Sequence, residues 1–356
     1  MPSCMLNLRI VRGPLASVEE ESILREFNRL TNSQIPLDDF RRWVRDGPGG
    51  PALHALVETD DARIVGHFSL IPLRTRFRGL DARVSRTEYL FVHEDFRKEK
   101  IRGFENSFLS AAIIVLDQLY RASRAQGWGP VIVSAGDEIR PFHKLVGCRP
   151  VDFPLVECLW ILRPWAAARR TPNLSNAQRL ALFSVGIAQS ALFFLVRLIF
   201  PEPRDIRAVA ANDIHPPANS ERIGLFEDCE SREWRYPDSE YTCLETGSAP
   251  EYFLIAKNGS GQRYLRVCQW HVGENATSAK QFLFVLLRQA RAEKSLGVRW
   301  AVFGEHPEAV KLKSVMQHMG FLCRPRVRQL LFYTKDPKFL KSAIWDITDS
   351  LFSFDL

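Results

Sequence analysis

The seven cysteines of this 356-residue chain stand at 4, 148, 158, 229, 243, 268 and 323, with no CxxC pair and no even framework. That spacing argues against a disulfide scaffold and a thiolate zinc site, and it fits a reducing compartment. The eight histidines form no HExxH, so no metal is expected. No G-x-S-x-G, G-x-G-x-x-G or P-loop string occurs, which removes the nucleophile elbow, the dinucleotide fingerprint and the phosphate loop of nucleotide hydrolases. Disorder is excluded by 46% hydrophobic against 25% charged residues, in a chain long enough for two domains. The first residues, MPSCMLNLRIVRG, do not read as a secretory signal. A cytoplasmic protein is therefore expected. The net charge of +7 suits nucleic acid, anionic lipid or an anionic small molecule. The basic strings RTRFR (74–78) and RPRVR (324–328) have little aromatic interleaving, so no nucleic-acid partner is expected.

What the chain does have is concentrated between residues 84 and 116. Val84 to Val92 are β-branched and aromatic enough for a half-buried strand, whereas Phe104, Phe108, Ala111, Ala112, Val115 and Leu119 recur at helical spacing. The basic turn RKEKIRG (97–103) lies between them. A strand that turns into a helix aims free backbone N–H groups and the positive end of the helix dipole at one point. Arg97, Lys98, Lys100 and Arg102 would reinforce such a phosphate site, the alternative being a solvated turn.

This stretch resembles motif A of the GNAT superfamily of acyl-CoA-dependent N-acyltransferases. Val92, Phe96, Arg97 and Ile101 stand where the family pattern V-x-P-x-Y-R-x-x-G-I-G has Val, Tyr, Arg and Ile. Lys100 and Arg102 occupy its two glycine positions, and Gly103 falls one residue late. Further on, PVIVSAGDEIRPFHKLVGCRPV (130–151) resembles the family's fifth strand and following helix, with Phe142, Gly147 and Cys148 in place and His143 at the position of the usual acid tyrosine. The resemblance implies acetyl-CoA or another acyl-CoA as donor and a small-molecule amine as acceptor. The donor would be held by Leu90, Phe91 and Val92 through backbone N–H groups and by Arg97, Lys98, Lys100, Arg102 and Gly103. The missing loop glycines keep a non-catalytic binding or scaffold protein on the same fold as the alternative.

The rest of the chain keeps that order. Leu6–Val11 reads as a strand, Ser17 with Glu20 as a capping box for a helix to about Leu30, and 37–45 as a second helix ended by GPGGP. Strands are expected at 54–58, 64–73 and 83–92. From 180 to 196 no residue is charged, and Arg169, Arg170, Arg179 and Arg197 flank the segment. We expect a connector helix buried between domains, with a helix on a membrane surface, peripheral to the inner membrane, and a true membrane span as the alternatives. Beyond 203 the order of elements repeats, with Gly320 and Phe321 matching the family signature but Met316 at the acid position. The second half resembles a degenerate member of bacterial tandem proteins. The expected architecture is α/β: two GNAT-like mixed-sheet domains in tandem, 1–163 and 204–356, joined by an apolar helical connector at 164–203.

Aminolysis of a thioester needs a base for the amine, a polarised carbonyl and a proton for the leaving sulfur. Glu88 is the candidate base, against the bland reading of a strand carboxylate paired with Arg86 or Arg74. His143 is the candidate acid, against a packing histidine. Asp137 and Glu138 are runners-up for the base, and Asp137 is also taken as a substrate contact. Trp234 and Tyr236 are assigned to the acceptor because aromatic faces stack on sugar rings; the alternative is that they pack the second core. Trp345, Asp346 and Asp349 belong to the same reading.

Overall fold

A computed structural model describes residues 5–77, 80–134, 136, 138–171, 174–199, 206–210, 224–225, 229–237, 241–246, 251–256, 264–272, 276–305, 307–342 and 345. It divides into two compact units. They do not follow the chain in simple succession. The first takes Met1–Asp152, Asn219–Trp234 and Gln329–Trp345, and the second takes Phe153–Ala218, Arg235–Arg328 and Asp346–Leu356. The expectation from the sequence is contiguous domains on either side of residues 164–203.

In the first unit β1 (Met5–Arg12), β2 (Leu53–Glu58), β3 (Ile64–Phe77) and β4 (Leu80–Val92) form an antiparallel run. β6 (Val131–Val133) joins β4 in parallel, and β9 (Gly224–Leu225) pairs antiparallel with β3 at Thr75 and Arg76. The sheet is completed by the end of β14 (Leu322–Tyr333), whose Leu331–Tyr333 lie antiparallel to β6. One face is covered by α3 (Ala111–Ala125), whose Ile114, Val115 and Leu119 are buried against Leu53, Ala55, Leu70 and Val131. On α1 (Ser17–Thr31) and α2 (Leu37–Val44), Phe27 and Phe40 pack edge-on against Tyr89 of β4. The two helices are clamped by Glu20, fully buried, which accepts from Arg41 Nε at 2.8 Å and Arg45 Nη2 at 2.7 Å. The capping box expected at Ser17 and Glu20 therefore lies one residue earlier. Ala16 is the N-cap, Glu19 accepts from its N–H at 2.9 Å, and the only cap made is this return half.

The second unit repeats the plan. β8 (Ile206–Val209), β10 (Tyr241–Thr246), β11 (Tyr252–Ala256) and β12 (Leu265–His271) run antiparallel, and β13 (Gly297–Phe303) joins β12 in parallel. Here the strand antiparallel to β13 is β7 (Arg149–Ile161). The core is built on α8 (Ala276–Ala292) and α9 (Pro307–His318), with Phe282, Leu283, Leu286, Leu312 and Met316 around Trp160 and Trp300. Each sheet thus takes in a strand far from its other strands in sequence, which no local periodicity can announce.

The segment expected as a buried connector is the helix α6 (Asn176–Ile199), and it is not buried. Only 17% of its apolar window is covered. Leu180, Ile187, Phe194 and Leu195 are at least half exposed. The inner stripe holds Gly186 against Pro164 and Ile161, and Gln189, whose side chain accepts from Ile161 N at 2.8 Å and donates to the carbonyls of Leu159 and Gly320. Gln189 interrupts the apolar run because three backbone groups at strand and helix ends require a partner.

Candidate functional site

β3 and β4 pair regularly until Ser69↔Glu88, after which the register shifts to His67↔Phe91. Two residues of β4, Tyr89 and Leu90, stand opposite Phe68 alone, a β-bulge, and Tyr89 has φ +52°. An aromatic residue in the left-handed region is held there by its surroundings. The Tyr89 ring is wedged between Phe27 and Phe40, and its carbonyl oxygen lies 3.0 Å from His67 Nδ1. Beside the bulge β4 also parts from β6, since their pairing stops at Arg86↔Ile132 among the described residues. The consequence is a stretch of β4, Thr87 to Val92, without β6 against its edge, and it includes Leu90, Phe91 and Val92.

Glu88 lies at the start of this bulge. Ser69 and Ile71 of β3 stand opposite Glu88 and Arg86, so both side chains occupy the face that carries His67 and is covered by α1 and α2. Arg86 Nε is 2.5 Å from Glu88 Oε1, and the carboxylate is one-fifth exposed. The guanidinium orients the carboxylate, and the remaining exposure leaves it within reach of water.

Sequence reasoning missed the support beneath. His54 Nδ1 is 3.0 Å from His67 Nε2, and both imidazoles have no exposure. A carbonyl only accepts, so His67 donates from Nδ1 to Tyr89, accepts at Nε2, and takes the Nδ1 proton of His54. Burial lowers His54 to about 4 and holds His67 well below the ordinary range, so both are neutral at pH 7. Two histidines on adjacent strands in HxL and GHF contexts give no recognisable motif; only the register of β2 and β3 brings them together.

The basic turn differs from expectation. α3 begins at Ala111 with Ser110 as N-cap, not near Phe104. Arg102 N donates to Leu6 O, and β5 (Lys100–Ile101) pairs in parallel with β1. Gly103, at φ +85°, then turns the chain away, which the Lys100–Arg102 pair at the expected glycine positions would not do as readily. Arg97 Nε reaches Val92 O at 3.2 Å, Lys100 Nζ reaches Ser107 O at 2.6 Å, and Arg102 pairs with Asp60 at 2.9 Å. Arg97 and Lys98 remain exposed. A fit to a diphosphate rests on these two cations and on the α3 N-terminus, where the first turn has no acid and Ser110 Oγ is buried without a hydrogen-bond partner.

His143, on α4 (Arg140–Leu145), is 1% exposed, with Nδ1 at 2.8 Å from the Tyr120 hydroxyl. Desolvation lowers it to about 4, so the imidazole is neutral at pH 7. Asp137 lies outside the described residues, as do Asp346 and Asp349, and Glu138 is exposed. Trp234, on α7 (Cys229–Arg235), belongs to the first unit: its ring meets Trp43 at 4.4 Å and its Nε1 donates to Arg42 O on α2. Tyr236 belongs to the second, 3% exposed against Tyr241. Trp345 packs on Phe332 and Phe339. The structure thus gathers Glu88 with Leu90 to Val92 within the first unit, and Tyr236 belongs to the second.

No family model and no curated protein sequence matches the chain. Solved structures do. A protein of Enterococcus faecalis V583 put forward as an N-acyltransferase aligns over 92% of this chain and 72% of its own, at TM-score 0.59 and 10% identity. A Pyrococcus horikoshii protein put forward as an acetyltransferase aligns over 96% and 93%, at 0.52 and 11%. A GCN5-related N-acetyltransferase from Kribbella flavida aligns over 91% and 70%, at 0.50 and 13%. The fold is GNAT-like.

It is GNAT-like twice, in tandem, and the two halves share detail. After α4, Gly147 has φ +95°, Gly147 N donates to Lys144 O and Cys148 N to His143 O, each at 3.0 Å. After α9, Gly320 has φ +96°, Gly320 N donates to Gln317 O and Phe321 N to Met316 O, again at 3.0 Å. Both are glycine-closed helix ends of the same form. Met316 takes the place of His143, and β12 carries its own bulge at Cys268, where the first GNAT-like half has Tyr89. The second half keeps the frame and lacks a carboxylate at the position of Glu88, which Val267 holds beside that bulge.

Proposed function

We propose that the first GNAT-like unit is an acyl-CoA-dependent N-acyltransferase that moves an acyl group, acetyl in the simplest case, to a primary amine such as an amino sugar. The observation that carries it is Glu88 on the bulged end of β4, next to backbone that β6 leaves unpaired. Acyl-CoA, when bound, supplies an electrophilic thioester carbon. Leu90 to Val92 would hold its carbonyl oxygen by backbone N–H groups, and the buried histidine pair fixes the bulge that aims them. Glu88 would take the proton of the amine, directly or through water. His143, neutral, would steady a leaving thiolate by hydrogen bonding rather than as an imidazolium acid. Arg97, Lys98 and the α3 N-terminus would meet the diphosphate, with Lys100, Arg102 and Gly103 shaping the turn. Trp234 beside Trp43 offers aromatic edges for a polar acceptor, and Asp137 and Tyr236 stay candidates for the same task.

Melting the full-length protein with acetyl-, succinyl- and long-chain acyl-CoA tests the donor. Saturation at about 100 times Kd is expected to add about 2.7 kcal/mol of stability, and the double variant Arg97→Ala/Lys98→Ala to lose most of that gain. A flat response to all three donors rejects the enzyme. It would favour the second reading, a non-catalytic GNAT-fold binding protein, which is supported by the Arg102–Asp60 pair and by the β5 pairing that occupies loop backbone.

Contact with a membrane surface is proposed for α6, supported by its exposed Leu180, Ile187, Phe194 and Leu195 and by Arg169 stacked 4.5 Å over the exposed Trp165. The intact protein is expected to sediment with vesicles containing phosphatidylglycerol, and Phe194→Glu to release it. Failure of the intact protein to sediment removes the proposal.

A further inference from the structure

Cys158 and Cys323, which are 165 positions apart in the chain, approach each other in the second unit, where β7 and β14 lie side by side. Their sulfurs are 2.9 Å apart, less than an ångström beyond the roughly 2.05 Å of a disulfide bond. Cys158 is fully buried beneath Trp160 and Trp300 in the core, whereas Cys323 is half-buried and reachable from solvent. We propose that Cys158 and Cys323 form a two-thiol redox site, in which Cys323 is oxidised by hydrogen peroxide and Cys158 resolves it to an intrachain disulfide.

The two thiols are not equivalent. The hydrogen bond to Cys323, together with burial, raises Cys158, while the same bond from Cys158 lowers Cys323. Lys313, partly desolvated, adds positive potential that works on Cys158. A partly exposed thiol is the one a peroxide reaches, and a buried protonated thiol next to it is the form that resolves. In the first step the Cys323 thiolate attacks one peroxide oxygen, the O–O bond breaks, and Cys323 becomes a sulfenic acid as hydroxide leaves and is protonated to water. In the second, the Cys158 sulfur attacks the Cys323 sulfur, the S–O bond breaks, and the departing hydroxide leaves with the Cys158 proton as water. Two thiols are oxidised, and one peroxide is reduced to two waters. A dithiol reverses the bond by exchange. In a reducing compartment the site stays reduced until peroxide appears, which agrees with the free state of Cys148, Cys158, Cys243, Cys268 and Cys323.

The test uses the full-length protein and does not depend on acyl transfer. After a brief treatment with hydrogen peroxide and alkylation, non-reducing peptide mapping should show a Cys158–Cys323 linkage, and the thiol titre of the denatured chain should fall from seven to five. Dithiothreitol should restore seven. In Cys158→Ala the sulfenic acid of Cys323 should persist and be trapped by dimedone, while Cys323→Ser should leave Cys158 unoxidised. Mapping of the wild-type chain decides the matter even if a variant fails to fold. Recovery of both residues in alkylated form after treatment that oxidises other thiols overturns the proposal, as does a linkage of Cys323 to any other cysteine.

Discussion

Glu88→Gln is expected to lower the rate of amine acylation by about 100- to 10,000-fold while leaving acyl-CoA binding unchanged. Glutamine keeps the shape and the position beside Arg86, 2.5 Å from the carboxylate in the wild type, and removes only the ability to take a proton. The split between binding and turnover is therefore diagnostic. Thiol release from acetyl-CoA in the presence of a panel of amino sugars and polyamines gives the rate, and the ligand-induced melting shift gives the binding. Loss of both together would mean that Glu88 supports the fold instead. A rate within about twofold of wild type would move the base elsewhere, with Glu138 the next residue to replace.

The second large effect is on stability at mildly acidic pH. His54 and His143 are held near 4 by burial, and burial holds His67 well below the ordinary histidine range as well, against 6.5 for an ordinary histidine. All three are neutral in the folded protein and titrate normally once unfolded. Between about pH 6.5 and 4 the unfolded chain therefore binds more protons, so stability is complete above 6.5 and is lost as pH falls. The difference between an ordinary histidine and about 4 corresponds to about 3 kcal/mol for each of His54 and His143. The charge of Glu19 acts in the opposite direction on His54 but does not cancel its desolvation. Urea midpoints at pH 7, 6, 5 and 4.5 should fall steeply, and His143→Gln should flatten the slope by one proton. A midpoint independent of pH over this range would show that water reaches the imidazoles.

How far the sequence could be read follows from the range of the interactions involved. The strands around Val84–Val92, the apolar face of α3 and the glycine-closed ends at Gly147 and Gly320 depend on neighbours within a turn or two, and their periodicity and punctuation were visible. The start of α3 was misread because Phe104 and Phe108 keep helical spacing, while the backbone of Arg102 is already committed to Leu6, almost a hundred residues away. Residues 180–196 were expected to be buried because they are apolar all round. Yet Gln189 and Gly186 fix only one stripe of α6 to its unit, and a sequence does not say how many neighbours a helix will find.

The sequence by itself determined the order of strands and helices, the doubling of that order, the placing of Glu88 on the strand before the basic turn, and the replacement of loop glycines by Lys100 and Arg102. These are properties of local pattern, which chemistry writes residue by residue. The tertiary structure alone decided that Tyr89 would be driven to positive φ between Phe27 and Phe40, that His54 and His67 would hold its carbonyl, and that Cys158 would meet Cys323. It also decided that β14 would pair with β6 and β7 with β13. Each of these depends on strand register between distant segments, where one residue of slip would turn every side chain to the other face.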